Sequence, residues 1–141
     1  MRTLATAAVT LLFSAIALGG GKPGDLSCER GIRSGLERSP EHYIAGIFEP
    51  YGGVKCEDSC WVTAKPVEVF AWRGPTESVP KEIRLSNAGP ASIASGGTTM
   101  GFLVPVGSTE PQAFTGTFLT VRLSEEDIDQ FRRTVERVLE E

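Results

Sequence analysis

The sequence predicts a mainly β protein, a small five-stranded barrel or meander with a C-terminal α-helix packed on it. Three observations support this fold class. The 141 residues include 16 glycines and 9 prolines, which indicates many turns. Short runs with apolar residues at every second position, above all from Trp61 to Leu85, indicate strands. A single long amphipathic helical pattern covers residues 125–140.

The stretch from Trp61 to Leu85 predicts two strands of a β-meander. The first strand ends at Trp72, a polar turn follows, and Ile83 and Leu85 then share one face with Val79. The apolar phase changes within the first strand, so we expect a β-bulge near Pro66.

The residues before this stretch predict a strand and a shorter helix. The nearly continuous apolar run from His42 to Phe48 predicts a buried central strand, with a bulge or a close backbone approach at Gly46. A turn is expected over Pro50–Gly53, and the partner strand then begins near Cys60. Residues 27–38 fit a short helix capped by Ser27, although two glycines within it disfavour helix.

Two strands and a helix complete the chain. Alternating apolar residues predict a strand over 100–106, and a last strand is expected over 114–123. Ser124 followed by acidic residues predicts the start of the terminal helix. Its apolar residues form one stripe, which we expect to pack on the sheet: Ile128, Phe131, Val135, Val138 and Leu139.

The first 21 residues have the features of a secretory signal peptide. Arg2 precedes an apolar run from Leu4 to Leu18, which ends in small residues suited to cleavage. That run falls short of the ~20 residues that a spanning helix needs. We therefore expect residues 22–141 to form a single β-rich domain, secreted or periplasmic, with no membrane insertion once the signal is removed.

Three cysteines, Cys28, Cys56 and Cys60, are candidates for disulfide formation in an exported chain. The spacing of Cys56 and Cys60 fits a disulfide across a tight loop, whereas a disulfide from Cys28 to either one would staple the N-terminal segment to the domain. We expect one disulfide that involves Cys60 and one cysteine left as a thiol.

Several segments resemble the netrin-like and tissue-inhibitor-of-metalloproteinase-like domains of exported bacterial proteins. The resemblance extends from Tyr43 to Val106 and includes Gly46, Trp72-Arg73-Gly74, Ile83 and Gly101-Phe102. It implies a five-stranded OB-like barrel with a helix packed against it. Inhibitors of that superfamily reach a protease zinc with a cysteine at the mature N-terminus. Here Cys28 lies several residues inside and no Cys-x-Cys follows, so metalloprotease inhibition is not implied.

The residues that carry chemistry are few. His42 is the only histidine, and a catalytic base would need a nucleophile and an orienting acid beside it. One histidine and three cysteines make no convincing metal site, and the paired glycines lack the residues of a phosphate loop. We therefore expect no catalytic residues, no metal and no cofactor. The net charge of −4 disfavours nucleic acid as a partner.

These observations favour an exported, non-catalytic protein-binding domain, inhibitor-like in its mode of action, with an unidentified protein as its partner. The candidate binding residues are Glu57, Asp58, Trp61 and Trp72, and the expected contact loops are 49–59 and 107–112. Two alternatives remain: a small hydrolase or thiol enzyme that uses His42 with a cysteine or serine, and a structural component of the cell envelope.

Overall fold

A computed structural model describes residues 25–57, 60–86, 97–106, 113–121 and 123–141. The elements in chain order are α1 (Leu26–Arg38), β1 (Tyr43–Cys56), β2 (Cys60–Arg73), β3 (Ile83–Ser86), β4 (Thr99–Pro105), β5 (Ala113–Thr120) and α2 (Glu125–Glu140). The predicted mainly β fold with a packed C-terminal helix is confirmed.

The five strands form a closed barrel in the order β1-β2-β3-β5-β4. β4 returns to pair with β1, and every neighbouring pair is antiparallel except β3 with β5. The junction between β3 and β5 is short, since only Arg84 with Ala113 and Leu85 with Phe114 are in register. The predicted five-stranded barrel is therefore confirmed, and it is weakest in hydrogen bonding at this junction.

Two apolar cores lie on opposite sides of the strands. The interior core fills the barrel: Ile44, Phe48, Val62, Ala64, Ile83, Leu85, Leu103 and Phe114. The outer core lies between the barrel and the helices, and its members include Cys28, Ile32, Ala45, Ile47, Phe102, Phe118 and Phe131. β1 contributes to both cores, which explains why its sequence is apolar almost without interruption.

Bulges in β2 change the side-chain phase, as the sequence predicted. Ile47 pairs with Glu68 and Phe48 pairs with Pro66, so Val67 is an extra residue on β2. A second register shift lies beside Gly46. A Cβ atom on Gly46 would lie 2.1 Å from the carbonyl oxygen of Glu68, which confirms the close backbone approach.

The predicted turn over Pro50–Gly53 is wrong, because β1 continues to Cys56 and the chain reverses only between Cys56 and Cys60. Gly52 and Gly53 have φ angles of 82° and 74°, and they lie in an irregular bulge between the pairs Tyr51–Thr63 and Lys55–Trp61. Glycine tolerates these positive φ values, so the strand absorbs the pair without reversing.

β4 begins and ends one residue earlier than predicted, and β5 is shorter than predicted. Val106 and Val121 lie beyond the ends of β4 and β5, and they are 37% and 47% exposed. Their apolar side chains extend the alternating pattern in the sequence without a neighbouring strand to bury them. A register shift in the β4–β5 pair also puts Phe114 in the interior core and Phe118 in the outer core.

The predicted N-terminal helix is present, but its cap is Asp25 rather than Ser27. The Asp25 carboxylate accepts a hydrogen bond from the backbone N–H of Cys28 at 3.1 Å, and Ser27 lies within the first turn. Gly31 and Gly35 let the helix lie close to β5. A Cβ atom on Gly31 would come within 2.5 Å of the Thr117 carbonyl oxygen. Close packing thus outweighs the low helix propensity of glycine.

The terminal helix α2 has the predicted cap and the predicted buried stripe. Ser124 accepts a hydrogen bond from the backbone N–H of Asp127 at 3.1 Å. Phe131, Val135 and Val138 are buried in the outer core, and Ile128 and Leu139 pack against it. The expectation that this stripe packs on the barrel is confirmed.

Candidate functional site

The β1–β2 hairpin extends beyond the pairing of β1 with β4. β1 pairs with β4 only as far as Phe48, opposite Thr99, whereas its pairing with β2 continues to Cys56 opposite Cys60. We call residues 49–56 and 60–65 the hairpin extension. All residues from Tyr51 to Glu57 are exposed. The extension therefore offers a structured surface to solvent.

The strand register gives the extension two different faces. Val62 and Ala64 pair with Leu85 and Ile83, and all four belong to the interior core. The residues between them point the other way, because successive side chains alternate across a strand. The outer face consists of two cross-strand rows, Tyr51–Thr63–Arg84 and Lys55–Trp61–Ser86.

The outer face combines aromatic and charged side chains. The Arg84 guanidinium carbon lies 4.6 Å from the centroid of the Trp61 ring, within cation–π range. The Tyr51 hydroxyl donates a hydrogen bond to the Glu82 carboxylate. Tyr51 is 42% exposed, and Val54, in the bulge beside it, is 37% exposed. These contacts hold the flat side chains in place while leaving much of their surface accessible.

A disulfide joins Cys56 and Cys60 at the end of the extension. The predicted disulfide involving Cys60 is thus present, and its partner is Cys56. Cys28 remains a buried thiol in the outer core, so it does not staple the N-terminal segment to the hairpin. The disulfide ties the two strands together where they extend furthest past β4.

The four predicted binding residues lie in different places. Trp61 is half-buried on the outer face, and Glu57 is exposed just after β1. Asp58 lies outside the described residues, as does the expected contact loop 107–112. Trp72 is near the other end of β2, on the order of 30 Å from Trp61 along an extended strand. The structure therefore separates the two tryptophans.

Trp72 closes one end of the barrel. Its ring packs against the interior core, and its Nε1–H donates a hydrogen bond to the carbonyl oxygen of Thr76 at 3.1 Å. The His42 ring meets the rings of Trp72 and Phe114 edge to face, at centroid distances of 5.5 and 5.4 Å. Both rings are therefore packed together at this end of the barrel.

His42 and the cysteines considered as its catalytic partners, Cys28 and Cys60, have different surroundings. Tyr43, the residue after His42, pairs with Arg73, whereas Cys60 lies at the opposite end of the same hairpin and is oxidised. Cys28 lies on α1 and packs in the outer core, while the ring contacts of His42 are with Trp72 and Phe114. The structure does not bring Cys60 and His42 together.

Sequence reasoning did not single out Tyr51, Val54 or Arg84. Tyr51 and Val54 lie within the expected contact loop 49–59, but most of that segment is the end of β1 rather than a loop. Arg84 had a readable signal, since it stands between the buried residues Ile83 and Leu85 and must therefore face outward. What the sequence did not show was that β3 lies beside β2 in the register that brings Arg84 to Trp61.

No protein-family model, curated protein or solved structure matches this chain. Within the ranges that the structure describes, no three histidine, cysteine, aspartate or glutamate side chains come together as metal ligands. None of the described helices is long and apolar enough to cross a membrane.

Proposed function

We propose that this protein is an exported, non-catalytic domain that binds another protein through the hairpin extension. One observation carries the proposal: a tyrosine, a tryptophan and an arginine from three neighbouring strands lie on the accessible outer face of the sheet. These three residue types, Tyr51, Trp61 and Arg84 here, are the ones that dominate binding energy at protein interfaces.

The extension is also preorganised for binding. Its two strands pair with each other and are joined by the Cys56–Cys60 disulfide. β2 also pairs with β3, and its inward side chains lie in the interior core. A segment that is ordered before it meets its partner loses less conformational entropy on binding. This supports an inhibitor-like mode, in which a rigid projecting segment enters a concave surface of the partner.

Recognition takes place through side chains rather than through addition of a strand. The edge of β1 beyond Phe48 has no pairing with β4, and such edges can accept an extra strand. Pro50 lacks an N–H group, however, and the positive φ angles of Gly52 and Gly53 interrupt the extended backbone. This edge is therefore a poor template, and the outer face is the better recognition surface.

Export is part of the proposal. A disulfide persists in oxidising compartments such as the periplasm or the extracellular medium, so the Cys56–Cys60 bond supports secretion. The predicted signal peptide over residues 1–21 lies outside the described residues. Mass spectrometry of native protein from the envelope or medium should give an N-terminus between Leu18 and Lys22. An intact Met1 on that protein would contradict export.

The binding proposal is tested by affinity capture from the native envelope or medium, followed by measurement of the captured partner's affinity. The double variant Tyr51→Ala/Val54→Ala should bind at least about tenfold more weakly, because it removes exposed contact area from the extension. Leu26→Ala is the matched control, since Leu26 is an exposed apolar residue on α1 and is 63% exposed. An equal loss of affinity in Tyr51→Ala/Val54→Ala and in Leu26→Ala would contradict recognition by the extension.

A further variant separates binding from catalysis. His42→Ala should leave biological activity largely intact, because the proposed surface does not use the histidine. Complete loss of activity in a folded His42→Ala protein would contradict the binding proposal and favour the hydrolase alternative.

A further inference from the structure

Within the described part of the chain, no carboxylate forms an ion pair with Arg84 or Lys55 of the outer face. Two of the nearby glutamates are engaged with other groups. Glu49 pairs with Lys65 at 3.4 Å, and Glu82 accepts the hydrogen bond from Tyr51.

The position of Arg84 suits it to bind a carboxylate. Its guanidinium lies over the Trp61 ring, which occupies one face of the planar group. The N–H donors lie in the plane of a guanidinium and suit a bidentate carboxylate, and no carboxylate of the described residues forms an ion pair with Arg84. Holding the group on the ring also fixes its orientation before a ligand arrives, which reduces the entropy lost on binding.

The surrounding charge limits the kind of anion that fits. The whole chain has a net charge of −4, and Glu49, Glu57 and Glu82 are on or beside the extension. A polyanion such as an acidic polysaccharide would be repelled by these groups. A single carboxylate meets less of that repulsion than a polyanion does. An apolar side chain next to it finds exposed surface on Tyr51, which lies in the same cross-strand row as Arg84.

We infer that the outer face binds an acidic peptide segment, in which one aspartate or glutamate is held by Arg84 with Lys55 nearby and an apolar neighbour packs on Tyr51. The inference rests on the proposed function and names the chemistry of the partner at the same site.

The test uses the oxidised full domain and a random linear peptide library displayed on phage. Peptides selected on the wild-type protein are synthesised, and their affinities are measured by fluorescence anisotropy. We expect the selected peptides to share an acidic residue next to an apolar one. Changing that acidic residue to its amide should weaken binding about tenfold or more, because a charge-assisted hydrogen-bonded pair is lost.

Variants of the protein locate the carboxylate contact. Arg84→Gln should weaken binding of the acidic peptide by the same factor, and the amide peptide should bind wild type and Arg84→Gln equally, as a direct contact requires. Arg84→Lys, which keeps the charge but not the planar fork, should fall between them. Arg38→Gln on α1 is the control and should bind like the wild type. Circular dichroism checks that each variant is folded.

The remaining outcomes separate this inference from the proposed function. Selected peptides without an acidic residue, whose binding is lost in Tyr51→Ala/Val54→Ala, would overturn the inference and leave the proposed function standing. Selection of no peptide that depends on the extension would count against both. Binding of the polyuronate alginate through Arg84, without binding of acidic peptides, would also overturn the inference.

Discussion

Phe131 contacts two strands that are not paired with each other along this part of the barrel. Its ring stacks on Phe118 of β5 at a centroid distance of 5.7 Å and meets Phe70 of β2 at 5.9 Å. β3 links β2 to β5 only near the other ends of those strands, where Leu85 pairs with Phe114. Phe131 therefore fills the space that the short β3–β5 junction leaves open.

Truncation of this ring should be costly. Phe131 is fully buried, so Phe131→Ala should lower the free energy of unfolding by roughly 3–5 kcal/mol through lost burial and a cavity. Denaturant unfolding measures the change. Glu136→Ala, an exposed site on the same helix, is the control and should shift it by less than about 0.5 kcal/mol. An equally small shift for Phe131→Ala would show that α2 does not support the barrel.

At the scale of elements, the two helices are joined by a surface ion-pair network. Glu29 of α1 accepts hydrogen bonds from Arg33 and from Arg137 of α2, and Glu141 accepts one from Arg33 at 2.7 Å. The hydrogen bond from Arg137 lowers the pKa of Glu29 below its ordinary value of 4.5, with a further contribution from Arg33. The hydrogen bond from Arg33 likewise lowers the pKa of Glu141.

These pKa shifts predict the sign of a pH dependence. A carboxyl whose pKa is lower in the folded state stabilises the fold above the ordinary pKa, and this contribution is lost as pH falls through the folded value. Glu29→Gln should therefore be less stable than wild type at neutral pH, and the difference should shrink well below about pH 4.5. Urea unfolding at several pH values measures it. A difference that does not change with pH would contradict the network.

The elements also show how far sequence patterns reach. The stripe of α2 and its cap were readable because helical spacing and capping are local. The length of β1 was not readable, since Gly52 and Gly53 have the composition of a turn, and only pairing with β2 shows that they lie within a strand. Gly31 and Gly35 likewise argued against a helix, because the sequence alone does not show that they let α1 pack closely on β5 and β4.

At the scale of the whole molecule, the barrel wall separates two cores. The helices close the outer core, and the hairpin extension continues from the interior core without contributing to the outer one. Sequence reasoning predicted the barrel, the disulfide of Cys60 and the position of Trp61 in a strand. It could not predict the outer face as a site, because Tyr51, Trp61 and Arg84 come from three strands and meet only through the register of the sheet.

The disulfide should matter to the extension more than to the fold. Cys56 and Cys60 are only four residues apart and belong to neither core, so the chain-entropy estimate for so short a loop is about 2 kcal/mol. The variant Cys56→Ser/Cys60→Ser should therefore keep the barrel, with a free energy of unfolding lower by about that amount. Hydrogen exchange should speed up in residues 51–56 and 60–63 and stay slow in β4.

A count of thiols completes this experiment and fixes the role of Cys28. Native protein unfolded without reductant should show one reactive thiol per chain, that of Cys28, and the same protein folded should react far more slowly because this thiol is buried. Three reactive thiols in unfolded native protein would contradict the disulfide. Exchange that speeds up throughout the barrel of Cys56→Ser/Cys60→Ser would show instead that the extension and the barrel unfold as one cooperative unit, in which case the disulfide stabilises the whole fold.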